Sequence, residues 1–521
     1  MGMAFLSLLS LQWWQELHGV TRLAIFLLSL LLPFFLLKLR QGGKLNLPPS
    51  PPKLPIIGNL HQFGKLPHRS LRELSSKYGP LMLLHLGHVP TLVVSSPEIA
   101  REIMKTHDIV FSNRPKTTAI NIFTYGFVTV GFAPYGDYWR HVRKVSVLEL
   151  LSLKRVQSFQ FIREEEVTIL VDQIHHACLS KGGPVNLTDM LIAVSNNITS
   201  RCVLGRKSEV KNGKSTFGEL SRRMMVQSTA FYFGDFFPYL GLLDNLTGRI
   251  ASVKATARAI DAVLDQVVEE HKILNVDDDD DEDDKKDFVH ILLNLQQKGM
   301  LEIELSQDNL KGILLDMFAG GSDTTATTLE WAMAELVKNP SIMKKAQEEV
   351  RRVVGKKSKL DETNITHMHY LKCIIKETLR LHAAAPLLVP RENSVSVKLG
   401  GYDIPADTSV YVNAFAIQTD PKLWDQPNEF LPERFMNNPV DFKGQDFQFI
   451  PFGGGRRGCP GMTFGIAGVE CVIANLLYHF NWELPGGESW KDLDMSEVYG
   501  LTVRKKIPLL FVPTLYSPNI I

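Results

Sequence analysis

The stretch that decides the fold is Phe452-Gly453-Gly454-Gly455-Arg456-Arg457-Gly458-Cys459-Pro460-Gly461. It contains one of the 5 cysteines of the chain, Cys459. Glycine lets backbone N–H groups approach a ligand closely, and a nearby positive charge lowers the pKa of a thiol. The residues from Met462 onward predict a helix, whose positive dipole end favours an anion at the preceding cysteine. The loop is therefore predicted to hold a thiolate.

Three interpretations of this loop compete. The first is a tight turn around a small buried cysteine. The second is a dinucleotide-binding fingerprint, because Gly453, Gly455 and Gly458 satisfy the pattern G-x-G-x-x-G. However, Pro451 argues against a preceding central strand, and the acidic residue that such a site requires about 20 positions later is missing. The third is ligation of a haem iron by the Cys459 thiolate, a mode that favours cleavage of the O–O bond.

The loop resembles the cysteine-ligand loop of the cytochrome P-450 superfamily, the haem-thiolate monooxygenases. The match includes every fixed position of that loop, namely Phe452, Gly455, Arg457, Cys459 and Gly461. The resemblance implies haem b as the cofactor and Cys459 as the ligand of its iron. It also implies that Phe452 and Arg457 contribute to cofactor binding.

Two other segments supply predicted haem contacts. Trp139 and Arg143 are four residues apart and therefore share one face of a predicted helix. Alone, this spacing is more typical of a surface cation–π pair. The Trp-Arg-x-x-Arg-Lys pattern at 139–144 resembles the family helix whose tryptophan and second arginine bind a haem propionate. Arg391 follows a segment, 383–390, that departs from the family pattern, and it is predicted as a second propionate partner.

A long helical pattern over roughly residues 306–339 contains the run Ala-Gly-Gly-Ser-Asp-Thr-Thr at 319–325. Two glycines inside a helix cost about 1 kcal/mol each relative to alanine, so the close approach of a ligand would justify them. The alternative is a serine- and threonine-rich kink in a core helix. The run resembles the oxygen-activation motif of the family. The resemblance implies catalytic roles for Asp323, as a source of protons, and for Thr324, beside the site of oxygen activation.

A third motif is predicted to be structural. Glu377 and Arg380 are three residues apart and share a helix face. The E-x-x-R pattern alone is weak evidence because it recurs elsewhere in the chain. Together with residues 430–435, which include Arg434, the run resembles the Glu-Arg-Arg triad of the family. The resemblance implies that these three residues lock the fold behind the haem.

The N-terminal residues 1–44 predict a membrane anchor. The stretch 19–37 is mostly apolar, although it is close to the lower length limit of a spanning helix. Basic residues cluster after it, so the positive-inside rule places the C-terminal side in the cytosol. A cleaved secretory signal is the alternative. We expect a single-pass protein of the endoplasmic reticulum membrane, with a proline-rich hinge at 45–60 and a cytosol-facing catalytic domain at 61–521.

Composition excludes some partners. The 521 residues are 45% hydrophobic, which is enough for a sizeable core, and they carry a net charge of +1. Residues 277–287 hold nine acids and two lysines, so the rest of the chain carries 55 − 47 = +8. Such a body suits a membrane lipid surface or an acidic protein partner better than nucleic acid, for which the sequence has no motif. The acid run at 277–284 predicts a solvated loop.

The motifs follow the order of the family, so the predicted fold is mainly α with a smaller β region. This is the cytochrome P-450 fold, preceded by a transmembrane helix, with haem between the 306–339 helix and the Cys459 loop. The sequence most resembles the large plant microsomal A-type family of specialised-metabolism monooxygenases. The resemblance implies insertion of one oxygen atom from O2 into a small hydrophobic substrate. Electrons from NADPH would come through a separate cytochrome P-450 reductase, because no NADPH or flavin site is visible.

Two alternatives to a monooxygenase stay open at this point. One is an isomerase or dehydratase with the same fold, and the other is a non-catalytic haem-binding protein. Neither requires Asp323 and Thr324, so the presence of this pair favours the monooxygenase. The predicted pocket side chains are mostly apolar, which favours a terpenoid, a coumarin or other phenylpropanoid, or an aldoxime as substrate. These side chains are Ile120, Ile122, Phe123, Leu315, Phe318, Leu387, Val389 and Leu501.

Overall fold

The computed structural model describes residues 45–180, 183–207, 210–211, 214–274, 286–355, 360–487 and 489–517. The predicted anchor at 1–44 and the acid run at 277–284 lie outside the described residues. The chain divides into two compact units. In the small unit, residues 45–47 join Gly401–Asp403, and the Asn46 amide donates to the Asp403 carboxylate over 3.0 Å. The large unit contains the remaining described residues.

The large unit is mainly helical. Its α-helices within the described residues are, in chain order, α1 (Pro67–Tyr78), α2 (Pro97–Arg101), α3 (Thr118–Phe123), α4 (Asp137–Val145), α5 (Leu153–Ser158), α6 (Gln160–Ser180), α7 (Leu187–Leu204), α8 (Thr216–Ser228), α9 (Phe233–Phe236), α10 (Leu242–Leu246), α11 (Arg249–Leu274), α12 (Phe288–Gln297), α13 (Gln307–Lys338), α14 (Pro340–Val354), α15 (Glu362–Ile365), α16 (His369–Leu381), α17 (Ala414–Gln418) and α18 (Met462–His479). Helix α13 has Ser306 as its N-cap, in a capping box with Asn309, and Asn339 as its C-cap. The predicted long helix at 306–339 is thus confirmed.

The strands are short. They are β1 (Leu81–Leu86), β2 (Val89–Val94), β3 (Val185–Asn186), β4 (Val210–Lys211), β5 (Lys214–Ser215), β6 (Arg391–Glu392), β7 (Val397–Leu399), β8 (Tyr402–Ile404), β9 (Ser409–Val412), β10 (Phe480–Glu483), β11 (Glu497–Val498), β12 (Arg504–Lys505) and β13 (Leu510–Leu515). A four-stranded sheet has the order β1-β2-β9-β6, with β2 and β9 parallel and the other pairs antiparallel. A three-stranded sheet has the order β10-β13-β3, and β4-β5 and β11-β12 form two-stranded ribbons.

The apolar runs at 81–86 and 91–94 predict a hairpin, and β1 and β2 form one. The second strand begins at Val89, two positions earlier than the pattern suggests, and it includes Pro90. Proline cannot donate to a strand ladder and is confined to strand starts and edges. The parallel pairing of β2 with β9 begins only at Thr91, so Pro90 lies outside that ladder.

Helix α13 is the axis of the core, and it packs against α7 and α18. Most of its residues are buried, among them Trp331, whose ring stacks on His382 with the ring centroids 4.1 Å apart. Among the described helices, α18 is long and apolar enough to cross a membrane, with a mean hydropathy of 1.3. Most of α18 is buried in the core against α13, so it is a core helix of the large unit.

The predicted Glu-Arg-Arg triad is confirmed. Arg380 donates to both carboxylate oxygens of Glu377 over 2.7 and 2.8 Å, and Arg434 donates to the same carboxylate over 3.0 Å. Glu377 and Arg380 are fully buried. Removal of one partner from a buried ion pair leaves an uncompensated charge, which is strongly destabilising. Arg380 also donates to the carbonyls of Gln418, Pro427 and Glu429.

Candidate active site

The cysteine loop is closed by its own backbone. The N–H of Cys459 donates to the carbonyl of Phe452 over 2.9 Å. Gly453 and Gly455 have φ of 66° and 65°, a left-handed conformation that favours glycine. A Cβ atom at Gly455 would lie 2.1 Å from the carbonyl oxygen of Met104, so glycine is required there. The residues before the loop form no strand, which removes the strand–turn–helix context of a dinucleotide site.

Cys459 combines accessibility of the residue with desolvation of its thiol. The residue is accessible at its surface, and yet the surrounding protein raises the pKa of its thiol through desolvation. The Gly461 N–H and the Arg143 charge act in the opposite direction and do not outweigh burial. The hydrogen bond and the charge by themselves therefore do not bring the pKa of the thiol below its usual value. A bound metal ion would change the balance, because a thiol that coordinates a metal loses its proton.

The two helix glycines have different surroundings. Gly320 is exposed although most of α13 is buried, and a Cβ atom there would meet no atom within 4 Å. A Cβ atom at Gly321 would lie 3.1 Å from Thr199 of α7 and 3.5 Å from Phe464 of α18. Gly321 thus permits close helix packing, whereas Gly320 leaves open space. The contact with Phe464 brings the start of α18, just after the cysteine loop, onto this turn of α13.

The acid–alcohol pair on α13 is partnered on both residues. The Thr324 hydroxyl donates to the carbonyl of Gly320, four residues earlier, over 2.6 Å. The buried carboxylate of Asp323 accepts a hydrogen bond from the Thr502 hydroxyl. Its second oxygen lies 3.9 Å from Nε of Arg222, which is partly exposed. Asp323 is therefore connected to the protein surface through a single side chain.

Arg457 is buried beneath the loop. Its guanidinium donates to the carbonyls of Ser112, Val130 and Ala133, and its carbon lies 4.3 Å from the centroid of the Trp139 ring. Burial, followed by the charges of Arg391 and Arg143, lowers the pKa of Arg457 to about 9. An arginine with such a depressed pKa is a group for which a bound anion would be favourable.

The other predicted cofactor contacts lie around the same loop. The indole N–H of Trp139 donates to the carbonyl of Val130 over 2.9 Å, and Arg143 donates to the carbonyl of Gly458 over 2.6 Å. The Trp139 ring also lies against the guanidinium of Arg457. Arg391 donates to the loop carbonyl of Gly454 over 2.7 Å.

Sequence reasoning missed Arg114. Its guanidinium donates to the carbonyls of Gly131, Val389 and Pro390. Burial and then the charges of Arg457, Arg391 and Arg143 hold its pKa well below the usual range. Arg114 lies in an irregular, mostly apolar stretch, and a single arginine before a proline was the signal available there.

The charges around the loop do not balance. Four buried or largely buried guanidinium groups interact with one another, and they are Arg114, Arg143, Arg391 and Arg457. The carboxylates that offset them are Asp108, which accepts from Arg391 over 3.3 Å, and Asp316, which favours the charged forms of Arg114 and Arg457. An excess of guanidinium groups next to an accessible thiol fits a metal cofactor that carries carboxylates, and haem is such a cofactor.

Comparisons with known proteins agree with this geometry. The cytochrome P450 family profile matches residues 48–511. Phenylacetaldehyde oxime monooxygenase of Prunus mume is 53% identical over 99% of this chain and 100% of the relative, and desmethylyatein synthase of Sinopodophyllum hexandrum is 50% identical over 92% and 96%. A zebra fish cytochrome P450 solved with abiraterone is 25% identical, with a TM-score of 0.70 over 87% of this chain and 100% of that chain. With this fold and these relatives, the chain belongs to the cytochrome P450 family and is a haem-thiolate monooxygenase.

Proposed function

We propose that this chain is a membrane-anchored enzyme that inserts one oxygen atom from O2 into a small hydrophobic plant specialised metabolite. One observation carries the proposal. Cys459 is exposed, and so is Gly320 on an otherwise mostly buried helix, and Phe464 at the start of α18 packs close to the neighbouring Gly321. Cys459 would bind the metal of a cofactor, and the open turn at Gly320 would leave room for a ligand.

The residues that would hold haem come from four segments. Cys459 would supply the sulfur ligand of the iron, and Phe452 would hold the loop closed through the Cys459 N–H. The propionates would take hydrogen bonds from the four arginines, Arg114, Arg143, Arg391 and Arg457. Trp139 has one N–H, which the Val130 carbonyl accepts, so it would bind a propionate by exchanging that partner. When bound, haem supplies the reductive activation of dioxygen. The chain contributes position and charge, because the guanidinium groups already lie together and need no reorganisation to bind an anion.

Asp323 and Thr324 would deliver protons to the site of oxygen activation. The Thr324 hydroxyl donates a hydrogen bond to the Gly320 carbonyl. It therefore lies on the turn of α13 that borders the open space at Gly320. Asp323 would take protons from solvent beside the partly exposed Arg222 and pass them toward the Oγ1 atom of Thr324. The carboxylate is buried and held by Thr502, so this transfer requires a small rotation of the side chain or an intervening water molecule.

The substrate would meet an apolar surface. Among the predicted pocket side chains, Ile122, Val389 and Leu501 are partly exposed. Phe318 is fully buried and packs on Phe217, with their ring centroids 4.4 Å apart, so it supports the wall rather than lining open space. An apolar surface of this kind favours a hydrophobic ligand. We propose an aromatic aldoxime as the first substrate to test, because the relative at 53% identity is a phenylacetaldehyde oxime monooxygenase. Terpenoids, coumarins and other phenylpropanoids are the substrates to test after the aldoxime.

Exposed apolar residues support a location at a membrane surface, which we propose to be the endoplasmic reticulum facing the cytosol. Tyr239, Leu242, Leu246 and Ile56 are each at least 74% exposed. The backbone at residues 87–88 hydrogen-bonds to both of the segments that carry them, which places the segments side by side. An exposed apolar patch of this kind on a protein surface marks a site of interaction with another protein or with a membrane. It would enter the lipid interface and keep the catalytic unit close to its anchor at 1–44.

Electrons would come from an NADPH-dependent cytochrome P-450 reductase. A cavity of about 800 Å³ lies beside the cysteine loop, and it contains Phe442, whose ring packs edge-on against Phe452 at 5.4 Å. Charged residues of both signs line the cavity, including Lys372, Lys376 and Asp441. Complementary charges steer docking and fix its register. A donor bound at this cavity would lie next to the proposed thiolate ligand.

The proposal is tested with the full-length chain in microsomes with a plant reductase. Phenylacetaldehyde oxime should be consumed only when both NADPH and O2 are present, whereas an isomerase or dehydratase would need neither. Cys459→Ser should abolish the thiolate signature of the reduced, CO-bound haem, and Cys373→Ser, which changes a buried cysteine elsewhere, should retain it. An unchanged spectrum in Cys459→Ser would overturn the ligand assignment.

A further inference from the structure

Two histidines and an aspartate converge at a place that the monooxygenase reaction does not use. His271 lies in the last turn of α11, and Asp287 is the N-cap of α12, on which His290 lies in the first turn. One ligand atom from each residue lies within 4.8 Å of the other two. Nε2 of His271 is 3.1 Å from Oδ2 of Asp287, and Nδ1 of His290 is 3.6 Å from the same oxygen.

These separations are close to those of a metal site. Zinc binds imidazole nitrogen and carboxylate oxygen at about 2.0–2.2 Å, so two ligand atoms in tetrahedral geometry lie roughly 3.3–3.5 Å apart. The two distances to Asp287 lie on either side of this range. Imidazole suits zinc and other late transition metals, whereas calcium and magnesium prefer sites built from oxygen ligands. The donor set therefore selects the chemical class of the ion.

The ring of His271 already has the orientation of a metal ligand. Its Nδ1 lies 2.7 Å from the carbonyl oxygen of Val267, and a carbonyl can only accept, so Nδ1 carries a proton. Nε2 faces Asp287, to which it donates a hydrogen bond when the ring is protonated, and release of that proton would leave a lone pair for a metal ion. A metal-bound histidine commonly donates its other N–H to a backbone carbonyl in this way, which fixes the tautomer.

Space and access at the three side chains are compatible with an ion. Gly205, with φ of 70°, follows α7 and covers the site without a side chain. A Cβ atom there would lie 2.3 Å from Oδ2 of Asp287 and 3.1 Å from Nε2 of His271. The side chain of His290 is 23% exposed, so an ion can enter from solvent.

We propose that His271, Asp287 and His290 form a site for a divalent transition-metal ion, with zinc as the best match. Three protein ligands leave one tetrahedral position for water. The ion would join the end of α11 to the start of α12, the two helices on either side of the acid run at 277–284. Its role would be to stabilise this junction of the fold, because an ion that binds only the folded chain adds to its stability.

The test uses the full chain loaded with haem, so that haem occupies Cys459. The chain is purified without a histidine tag, because the tag would itself bind zinc. Zinc affinity is measured by competition with a chromophoric chelator, and the bound metal is counted by mass spectrometry after dialysis. We expect one zinc ion per chain. His290→Ala should weaken binding by at least about tenfold. Asp287→Asn, which keeps a residue suited to the helix cap, should do the same.

Matched controls separate this site from other metal-binding groups. His175→Ala and His176→Ala remove exposed histidines on α6 and should leave zinc affinity unchanged. Zinc should also raise the melting temperature of the unaltered chain and of these controls, but not that of His290→Ala. Haem content serves as the check that each variant is folded. The proposal would be overturned if the unaltered chain failed to bind zinc, or if His290→Ala and Asp287→Asn bound zinc as tightly as the unaltered chain does.

Discussion

The carboxylate of Asp323 accepts a hydrogen bond from the hydroxyl of Thr502, which lies 179 positions later in the chain. This contact fixes one oxygen of a buried acid on the central helix and leaves the other 3.9 Å from Arg222. The acid is thus held between the C-terminal segment and a partly exposed arginine. Its geometry is that of a proton relay from the surface, as we propose.

We expect Thr502→Val to reduce the yield of product per NADPH and to lower the stability of the protein. The hydrogen bond to a charged acceptor contributes about 1.5–3 kcal/mol, and valine would leave the buried carboxylate oxygen without this donor. Thr502→Ser keeps the hydroxyl and should retain most of both properties. Product yield per NADPH and the thermal midpoint measure the two effects. Equal values for the valine and serine variants would contradict the proposed role of the contact.

Thr324→Ala should keep haem but release more hydrogen peroxide for each NADPH consumed. The Thr324 hydroxyl lies at the turn of α13 that borders the open space, so its removal disturbs proton delivery there. Thr328→Ala is the matched control, because that hydroxyl also donates to the carbonyl four residues earlier, over 2.9 Å. Full coupling in Thr324→Ala, or the same peroxide release in both variants, would exclude a specific role for Thr324.

The sequence was most informative where function and folding require particular residues. The helix at 306–339 and the helix after the cysteine loop follow from local patterns, whereas the buried Glu377–Arg380 pair follows from the resemblance to the family triad. The start of β2 at Val89 does not follow from the apolar run at 91–94. The edge position of Pro90 before the β9 ladder depends on a partner strand more than 300 residues away, which no local pattern reports.

The candidate site was only partly predictable for a similar reason. Arg114, Arg222 and Thr502 come from three distant segments, and their contacts depend on tertiary packing. The direction of the Cys459 pKa shift is likewise not readable from the sequence, because the glycines and arginines are visible there but desolvation is not. One signal was available. Asp316 is a lone acid between apolar residues on the central helix, and such a residue is buried only if it is partnered.

Replacement of Arg114 should weaken haem retention. Its guanidinium joins the loop at Gly131 to the segment at Val389, and its positive charge is part of the excess that a dicarboxylate cofactor would neutralise. We expect Arg114→Gln to transfer haem to a scavenger apoglobin at least about tenfold faster, since a hydrogen bond to a charged group contributes roughly 1.5–3 kcal/mol. Arg114→Lys keeps the charge but lacks the planar set of donors, so its rate of haem transfer should lie between those of the unaltered chain and Arg114→Gln. Unchanged haem transfer in Arg114→Gln would remove this residue from the cofactor site.

The carboxylate of Asp316 holds the loop before α4 against the central helix. It accepts the N–H of Gly131 over 2.7 Å. Burial raises its pKa from the usual 3.8 to about 6, although the hydrogen bond from Gly131 and the charge of Arg114 act in the opposite direction. The folded chain therefore keeps a proton on Asp316 at pH values where the unfolded chain has already released it.

This difference in proton binding makes the stability of the folded chain depend on pH. Between about pH 4 and pH 6 the folded state binds more protons at Asp316 than the unfolded state, so the contribution of this residue to stability falls as the pH rises and levels off above about pH 6. A shift of this size corresponds to about 3 kcal/mol. The unaltered chain should therefore lose stability relative to Asp316→Asn across that window, as measured by unfolding midpoints at a series of pH values. Asp308→Asn, at an exposed position of the same helix, provides the comparison. A stability difference between the unaltered chain and Asp316→Asn that stays constant from pH 4 to pH 7, or that changes in the opposite direction, would show that Asp316 does not titrate as its burial requires.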